Sequence, residues 1–319
     1  MPAWIYLFLF LFGAAIGSFL NVVILRYKPE GRILKSVGGR SHCPHCNRTL
    51  RWYELIPLLS FAFQRGRCRS CYARLTWQYP LVEFLSGAVL VLVPWMTIKT
   101  NPGILLYLFG SLSRFSVISH ALYASLHTAA LGNALLAVLW IVAFLTLIVI
   151  AAIDLRLKII PDEMNLFLAA LGIGAVLIKY FFHIFAFSGG KAVGSFLGPY
   201  ATMFGFTGDV WINALIGTAF VVLLLALLHF GSRGRAMGFG DVKFAVGFGL
   251  LMGWPDAGVA LMLAFIVGSI ISLFLLAIGK GRMKSKLPFA PFIVAGITLV
   301  YFFGYDIING YFRLFGLHI

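Results

Sequence analysis

The residues Leu147-Ile-Val-Ile-Ala-Ala-Ile153 form an unbroken apolar run, which ends at the carboxylate of Asp154. Such a run is typical of a helix that crosses a lipid bilayer, because charged side chains are excluded from the hydrocarbon core. The whole chain has this character. Of its 319 residues, 61% are hydrophobic and 11% are charged, whereas soluble domains carry about 25% charged residues. The composition therefore indicates a membrane protein.

Apolar runs approach the roughly 20 residues that a membrane-crossing helix needs at eight places in the chain. These runs are 4–25, 80–98, 134–153, 166–187, 210–230, 244–254, 257–278 and 287–304. The sixth run is short and rich in glycine, so a tilted, re-entrant or partly buried segment remains open there. We expect an all-α polytopic membrane protein with about eight transmembrane helices.

The distribution of cations indicates which ends of the spans face the cytoplasm. When the loops are assigned alternately to two sides, one face receives 26–78, 155–165, 231–243 and 279–286, which carry 20 of the 25 Lys and Arg residues. This face is cytoplasmic by the positive-inside rule. The N-terminus is then outside, and the first span is expected to be a retained anchor and not a cleaved signal peptide. The net charge is +15, but the Lys and Arg residues lie between apolar runs and not along one amphipathic face, so nucleic acid is not an expected partner.

The organisation predicted along the chain has three parts. A first transmembrane helix covers 1–25, a soluble-looking cytoplasmic insert covers 26–78, and a polytopic membrane domain with the active site covers 79–319. Two further segments are expected outside the membrane. Residues 100–132 are semi-apolar, and 188–208 hold six glycines and predict a flexible loop.

All four cysteines of the chain lie in the insert, as Cys43-Pro-His-Cys46 and Cys68-Arg-Ser-Cys71. Two Cys-x-x-Cys turns let four thiolates converge tetrahedrally on a zinc ion. Disulfides or redox motifs are the alternative, which the reducing cytoplasm disfavours. Four thiolates close the coordination shell without His42 or His45. The pattern therefore predicts a structural zinc site, with the catalytic chemistry elsewhere.

Two carboxylates, Asp154 and Asp241, are expected at the same membrane depth on the cytoplasmic side. An ionisable group at such a place is costly and by default functional. Gly238 and Gly240 precede Asp241 in Gly238-Phe-Gly-Asp-Val-Lys243, and they let another backbone approach closely. A flexible loop with an N-cap Asp would explain Asp241 alone, but the shared depth favours a pair.

Two carboxyls within a few ångströms of each other share a proton and titrate together. The ionised member can activate a water while the protonated member polarises a scissile carbonyl. Asp154 and Asp241 therefore predict peptide hydrolysis without a covalent intermediate.

Three charged residues near the pair are candidate binding residues with ordinary alternatives. Lys158 and Lys243 can bias which carboxyl keeps the proton, although anchoring at the membrane surface also explains both. Asp162 opens the fourth span and has the alternative of a helix N-cap, with Asn165 three residues later.

A set of segments distributed along the chain resembles the bacterial type IV prepilin peptidases, also called leader peptidase/N-methyltransferases. The matching segments are Gly17-Ser-Phe-Leu-Asn-Val-Val-Ile-Leu-Arg26, the two Cys pairs, Pro80-Leu-Val-Glu83, Ile153-Asp154, Ile160-Pro-Asp162, Gly238-Phe-Gly-Asp241 and Pro288-Phe-Ala-Pro291. The resemblance covers nearly the whole chain.

The resemblance implies a membrane aspartyl endopeptidase of the bacterial inner membrane, with Asp154 and Asp241 as its catalytic pair. Such enzymes remove the basic leader of type IV prepilins and type II secretion pseudopilins at the cytoplasmic face. They then methylate the new N-terminal amine with S-adenosylmethionine. Glu83 matches the family and can bind substrate or a cation, or pair with an arginine. No Gly-rich nucleotide fingerprint follows a strand, so the S-adenosylmethionine site rests on the resemblance alone.

The partners implied are prepilins or pseudopilins and the lipid bilayer, and the sequence does not determine the oligomeric state. Two other functions compete. A proton-coupled transporter could use the same aspartates, but it predicts acids near mid-membrane and paired broken helices. A methyltransferase or assembly factor without proteolysis is the other alternative, and the intact Asp154 and Asp241 argue against it.

Overall fold

The computed structural model describes residues 2–29, 39–100, 120–184, 186–188, 191–235, 237–279 and 287–316. The helices are α1 Ala3–Arg26, α2 Leu59–Phe63, α3 Gln78–Thr100, α4 His120–Leu157, α5 Asp162–Phe181, α6 Val210–Gly231, α7 Phe239–Met252, α8 Asp256–Ala277 and α9 Ala290–Leu314. Short 3-10 helices span Trp52–Leu55 and Gly198–Phe204, and β1 Ala186–Ser188 pairs antiparallel with β2 Lys191–Val193. Apart from this one hairpin, the described elements are helical, which confirms the all-α prediction.

Seven segments among the described residues are long and apolar enough to cross a membrane. They are α1, α3, Thr128–Leu157 within α4, α5, α6, α8 and α9. These seven correspond to predicted spans. The remaining predicted span, 244–254, falls on α7, which has 14 residues and a length of about 21 Å.

Hydrogen bonds at both ends of α7 show that it runs beside most of α6 despite its short length. Before α7 begins, the Met237 carbonyl lies 2.9 Å from His229 Nδ1 near the end of α6. After α7 ends, the Trp254 N–H donates to the Asn213 carbonyl near the start of α6, at 2.8 Å. Asn213 and His229 are about 24 Å apart along the helix. The segment from Met237 to Trp254 therefore spans about the same distance as that between Asn213 and His229 in α6.

The chain divides into two compact units. Unit 1 comprises Met1–Trp95 with Trp140–Ile159, and unit 2 comprises Met96–Leu139 with Ile160–Ile319. The three-part division that the sequence suggests, at 25 and 78, remains a prediction.

Close packing of α1 against α3 organises unit 1. A Cβ on Gly17 would lie 2.8 Å from Glu83 Cα, and one on Gly13 would lie 2.9 Å from Gly87 Cα. Glycines four residues apart let two membrane helices approach closely. The end of α4 is tied to the end of α1, because Arg156 Nη1 donates to two α1 carbonyls at 2.7 Å.

Small residues also determine the packing of unit 2. A Cβ on Gly217 of α6 would lie 2.5 Å from the backbone of Gly253 and Trp254, and one on Gly249 of α7 would lie 2.7 Å from Thr218 Cα. Gly296 of α9 likewise faces backbone atoms of α8. In each case only the absence of a side chain allows the two backbones to come so near.

The two predicted external segments differ from expectation. Helix α4 begins at His120, so the second part of 100–132 is helical where a loop was predicted, while 101–119 lies outside the described residues. In the predicted flexible loop 188–208, residues 189–190 lie outside the described residues, and the second half contains a 3-10 helix with a buried Tyr200. The Tyr200 hydroxyl donates to Asn309 Oδ1 at 2.9 Å and holds the segment against α9.

Candidate active site and metal centre

Asp154 is buried, with 5% exposure, near the C-terminus of α4 in unit 1. The helix ends three residues later, and the Lys158 N–H donates to the Asp154 carbonyl at 2.8 Å. Lys158 has a positive φ of 56°, the left-handed conformation that commonly terminates helices. Lys158 is exposed, and the helix stops before reaching it.

Asp241 lies in the first turn of α7 in unit 2 and is buried, with 8% exposure. Its backbone N–H donates to the Gly238 carbonyl at 3.3 Å. A helix N-terminus favours negative charge because its free N–H groups carry partial positive charge. The position can therefore stabilise the ionised carboxylate.

The glycines before Asp241 are not required by the backbone or by packing within the chain. Gly238 has a φ of −74°, which any residue can adopt. A Cβ on Gly240 would meet Ile160 at 3.6 Å, which is an ordinary van der Waals distance. The space beside Gly240 is thus free of close contacts, in contrast to that beside Gly217.

Asp162 and Lys243 form an ion pair across unit 2. Lys243 Nζ lies 2.8 and 2.9 Å from the two carboxylate oxygens of Asp162, and both side chains are largely exposed. The N-cap interpretation of Asp162 was wrong, because Pro161 occupies the N-cap and Asp162 is the first helical residue. The pair links the start of α5 to the first turn of α7, two residues from Asp241.

His229 is a residue near the site that the sequence did not single out. Its Nδ1 lies 2.9 Å from the Met237 carbonyl, and its ring centroid lies 5.5 Å from that of Phe239. His229 thereby fixes the end of α6 to the segment that enters α7. The sequence carried no signal for this contact, since Met237 is eight residues away across a turn.

Glu83 is buried in α3 and accepts a hydrogen bond from the backbone of the insert. The Leu58 N–H donates to Glu83 Oε2 at 2.8 Å. Leu58 has a φ of 60°, and this bond helps to hold the unusual backbone that leads into α2. Ser18 of α1 also hydrogen-bonds to the Glu83 carboxylate.

The four cysteines converge in unit 1 on two turns of the same geometry. Their sulfur atoms all lie within 4.8 Å of one another, and none is in a disulfide. Each position in the second turn lies 25 residues after the equivalent position in the first. An isolated β-bridge closes each turn, between His42 and Thr49 in the first and between Arg67 and Arg74 in the second. The residue after the second cysteine has positive φ in both turns, 55° at Asn47 and 57° at Tyr72.

This sulfur cluster fits a tetrahedral metal ion. A zinc ion with Zn–S bonds of about 2.3 Å requires sulfur atoms about 3.8 Å apart, and Cys43 and Cys71 Sγ are 3.9 Å apart. A disulfide would require about 2.05 Å. The backbone N–H groups of Cys71 and Ser70 donate to Cys68 Sγ and lower the pKa of that thiol to about 6. Cys68 thus favours the thiolate, the form that binds metals.

The predicted site residues fall into two groups. Unit 1 holds Glu83, Asp154, Lys158 and the four cysteines, and unit 2 holds Asp162, Gly238, Gly240, Asp241 and Lys243. The structure brings together the four cysteines, and separately Asp162 with Lys243. The pairing of Asp154 with Asp241 joins one residue from each unit and remains a prediction.

A second polar cluster in unit 2, around Asp256, was not predicted from the sequence. Asp256 is 1% exposed and accepts hydrogen bonds from the Ser195 hydroxyl at 2.7 Å and the Phe196 N–H at 3.2 Å. Lys179, also buried, donates to the Gly194 carbonyl at 3.5 Å. This cluster lies at the end of α7 opposite Asp241, and it fastens the 194–197 segment to the helices.

Two family profiles match the chain. The Bacterial Peptidase A24 N-terminal domain matches residues 11–97, which include the four cysteines and Glu83. The Type IV leader peptidase family matches residues 141–275, which include Asp154 and Asp241. No solved structure matches the chain significantly.

Similar proteins extend over nearly the full length. A prepilin leader peptidase/N-methyltransferase of Dickeya chrysanthemi is 30% identical over 89% of this chain and 88% of its own length. Proteins of the same name from Legionella pneumophila and Bacillus subtilis (strain 168) are 29% and 27% identical, and the matches cover 97% and 96% of this chain and 95% and 97% of theirs. The chain therefore belongs to the prepilin leader peptidase/N-methyltransferase family of membrane enzymes.

Proposed function

We propose that this protein is an aspartyl endopeptidase that removes the leader of type IV prepilins and type II secretion pseudopilins at the cytoplasmic membrane face. In this proposal Asp154 and Asp241 are the catalytic pair, and the enzyme then N-methylates the new N-terminal residue. The names of the relatives support both activities.

The observation that carries the proposal is the burial of two carboxyls at helix ends within the leader-peptidase match. Asp154 and Asp241 are 5% and 8% exposed and lie in the matched residues 141–275. Burial disfavours a charged carboxylate and makes a shared proton favourable. Two further acids of the described membrane helices, Glu83 and Asp256, are also buried, and each accepts a backbone hydrogen bond.

The proposed chemistry divides the work between the two carboxyls. The ionised member removes a proton from a water, and the protonated member donates to the scissile carbonyl oxygen. The open space at Gly240 supports close approach of an extended substrate backbone. A prepilin carries a basic leader before an apolar helix, so its cleavage site rests at the membrane boundary where these aspartates are expected.

The metal and the methyl donor have separate roles in the proposal. Zinc held by Cys43, Cys46, Cys68 and Cys71 stabilises the insert, because four thiolates leave no open position for substrate. S-adenosylmethionine supplies the methyl group, and we assign none of the described residues to it. We place the enzyme in the bacterial inner membrane with its N-terminus outside, on the strength of the Lys and Arg distribution.

The test is to incubate the detergent-solubilised protein with a prepilin and to follow leader loss by gel. Asp154→Asn and Asp241→Asn should each lower the cleavage rate by about 10³-fold or more. Both variants should keep the helical circular dichroism and unfolding temperature of the wild type. Asp306→Asn is the matched control, because Asp306 is exposed on α9, and it should cleave normally. Normal cleavage by either of the first two variants would overturn the pair.

A further inference from the structure

A cavity of about 660 Å³ opens on the four-cysteine insert in unit 1. One part of its wall is apolar, where the rings of Phe61 and Trp77 lie 5.4 Å apart. Another part is cationic and consists of Arg65, Arg67 and Arg74. The cavity therefore offers both an apolar surface and positive charge to one ligand.

Two of these arginines face each other across the second cysteine turn. Arg67 and Arg74 form an antiparallel bridge whose flanking hydrogen bonds are Cys68 N–H to Ala73 O and Leu75 N–H to Gly66 O. This is a non-hydrogen-bonded pair, the kind in which opposed side chains lie closest. Like charges directly opposite each other destabilise a pair of strands. An anion between the two guanidinium groups would relieve this repulsion.

The first cysteine turn shows that the geometry does not require this charge. At the equivalent bridge the pair is His42 and Thr49. The two turns otherwise share their spacing and hydrogen bonds. Arginine at both bridge positions is therefore a property of the turn that borders the cavity.

Three other arginines of the insert that lie near the cysteine turns make contacts of their own. Arg48 pairs with Glu54 at 3.7 Å, Arg51 donates to the Tyr53 hydroxyl at 3.2 Å, and Arg69 lies over the Tyr53 ring at 5.2 Å. Within the part of the chain that the structure describes, the three arginines of the cavity have no carboxylate within ion-pair distance. Three arginines without a carboxylate partner thus line one cavity.

The position of the cavity indicates what kind of anion reaches it. Trp77 is 78% exposed and directly precedes Gln78, the first residue of the membrane-spanning α3. Tryptophan at the end of a membrane helix typically lies at the level of the lipid headgroups. At that level the anion of highest local concentration is an acidic phospholipid, which also brings an acyl chain for the apolar wall.

We propose that this cavity binds the headgroup of an anionic phospholipid. The phosphate lies between Arg67 and Arg74 with Arg65 beside it. The part of the acyl chains nearest the headgroup contacts Phe61 and Trp77. A basic leader peptide is repelled by the same three arginines, so this surface is separate from substrate binding. The bound lipid holds the zinc-binding insert at the membrane surface.

The experiment measures lipid binding to the full-length, zinc-loaded protein in a zwitterionic detergent. Dioleoyl phosphatidylglycerol and dioleoyl phosphatidylcholine, which share their acyl chains, are titrated while native mass spectrometry and thermal unfolding are recorded. Wild type should bind phosphatidylglycerol more tightly and unfold at a higher temperature with it. The double variant Arg67→Gln/Arg74→Gln should bind phosphatidylglycerol roughly 30-fold more weakly. Its affinity for phosphatidylcholine should not change.

The control variant Arg51→Gln/Arg69→Gln removes the same charge from the same insert and should keep wild-type affinity. In detergent without anionic lipid, Arg67→Gln/Arg74→Gln should unfold at or above the wild-type temperature, because the like-charge pair is gone. A lower temperature there would assign the arginines a structural role and overturn the proposal. Equal binding of the two lipids by wild type, or equal losses in the two double variants, would also overturn it. Stabilisation by inorganic phosphate equal to that by phosphatidylglycerol would replace the lipid with a free anion.

Discussion

Single glycines in this protein serve two different purposes, and Gly217 and Gly240 illustrate them. At Gly217 the backbone of Gly253 and Trp254, just after α7, lies 2.5 Å from the place of a Cβ. At Gly240 the nearest atom to a Cβ is 3.6 Å away. The first glycine is needed for the fold. The second leaves a surface open beside Asp241.

We predict opposite outcomes for alanine at these two positions. Gly240→Ala should change the free energy of unfolding by less than about 1 kcal/mol while lowering prepilin cleavage, because its methyl group occupies substrate space. Gly217→Ala should destabilise by about 3 kcal/mol or more, since backbone cannot move aside. Thermal unfolding and a cleavage assay measure both effects. Full cleavage by Gly240→Ala would show that the open surface is not used by substrate.

The Asp162–Lys243 ion pair is an example of a well-formed surface contact that contributes little to the stability of the fold. Its atoms are 2.8 Å apart, but the side chains are 72% and 42% exposed. Exposed pairs typically contribute less than about 1 kcal/mol, because water and salt screen them. The pair is therefore better understood as aligning the start of α5 with α7 than as a source of stability.

At the scale of elements, we expect the insert to depend on a bound metal more than on an apolar core. Few of its apolar side chains are buried, and Trp52, Phe63 and Trp77 are each 78% exposed. A segment of about fifty residues with so little apolar burial needs another source of stability. In our proposal the two cysteine turns supply this stability by holding one metal ion between them.

We predict that Cys43→Ser/Cys46→Ser releases zinc and unfolds the insert. Metal analysis of the purified wild type should give about one zinc per chain, and the variant should contain close to none. Limited proteolysis should then cut within 39–77 in the variant and spare the membrane helices. His45→Ala is the matched control, because His45 lies between the same cysteines and is not an expected ligand. Unchanged zinc in the double variant would contradict the four-thiolate site.

On the scale of the whole molecule, α7 determines how many times the chain crosses the membrane. It has 14 residues, fewer than a span usually needs. Its two ends nevertheless bond to opposite ends of α6, at His229 and Asn213. Nine of the 14 residues of α7 are buried, so the short helix is largely covered by protein. Burial by neighbouring helices makes a short crossing tolerable.

We predict that a protease tag inserted after Gly234 and one inserted after Gly279 both face the cytoplasm. With both tags inside, protease added to intact spheroplasts should cut neither, and lysis should expose both. The Gly234 site precedes α7 and serves as the reference. If α7 does not cross, the Gly279 tag alone becomes accessible from outside, and the count of eight crossings is wrong.

The apolar runs and the cysteine spacing were readable from sequence, because each depends on residues that are close along the chain. Hydropathy located the helices within a few residues at most ends, and two Cys-x-x-Cys motifs were enough to predict the metal cluster. The N-cap alternative for Asp162 was wrong and the burial of Asp256 was not predicted, because both carboxylates meet partners more than fifty residues away.

The opposition of Arg67 to Arg74, the burial of Asp256 against Ser195 and the bond from His229 to Met237 were decided by tertiary structure alone. Each arises where turns and helix packing bring together side chains whose separation in sequence carries no periodic signal. Sequence thus determined which segments enter the membrane and which residues can bind a metal. Packing determined which charges are left without a partner, because an ion pair depends on distances that only the folded chain defines.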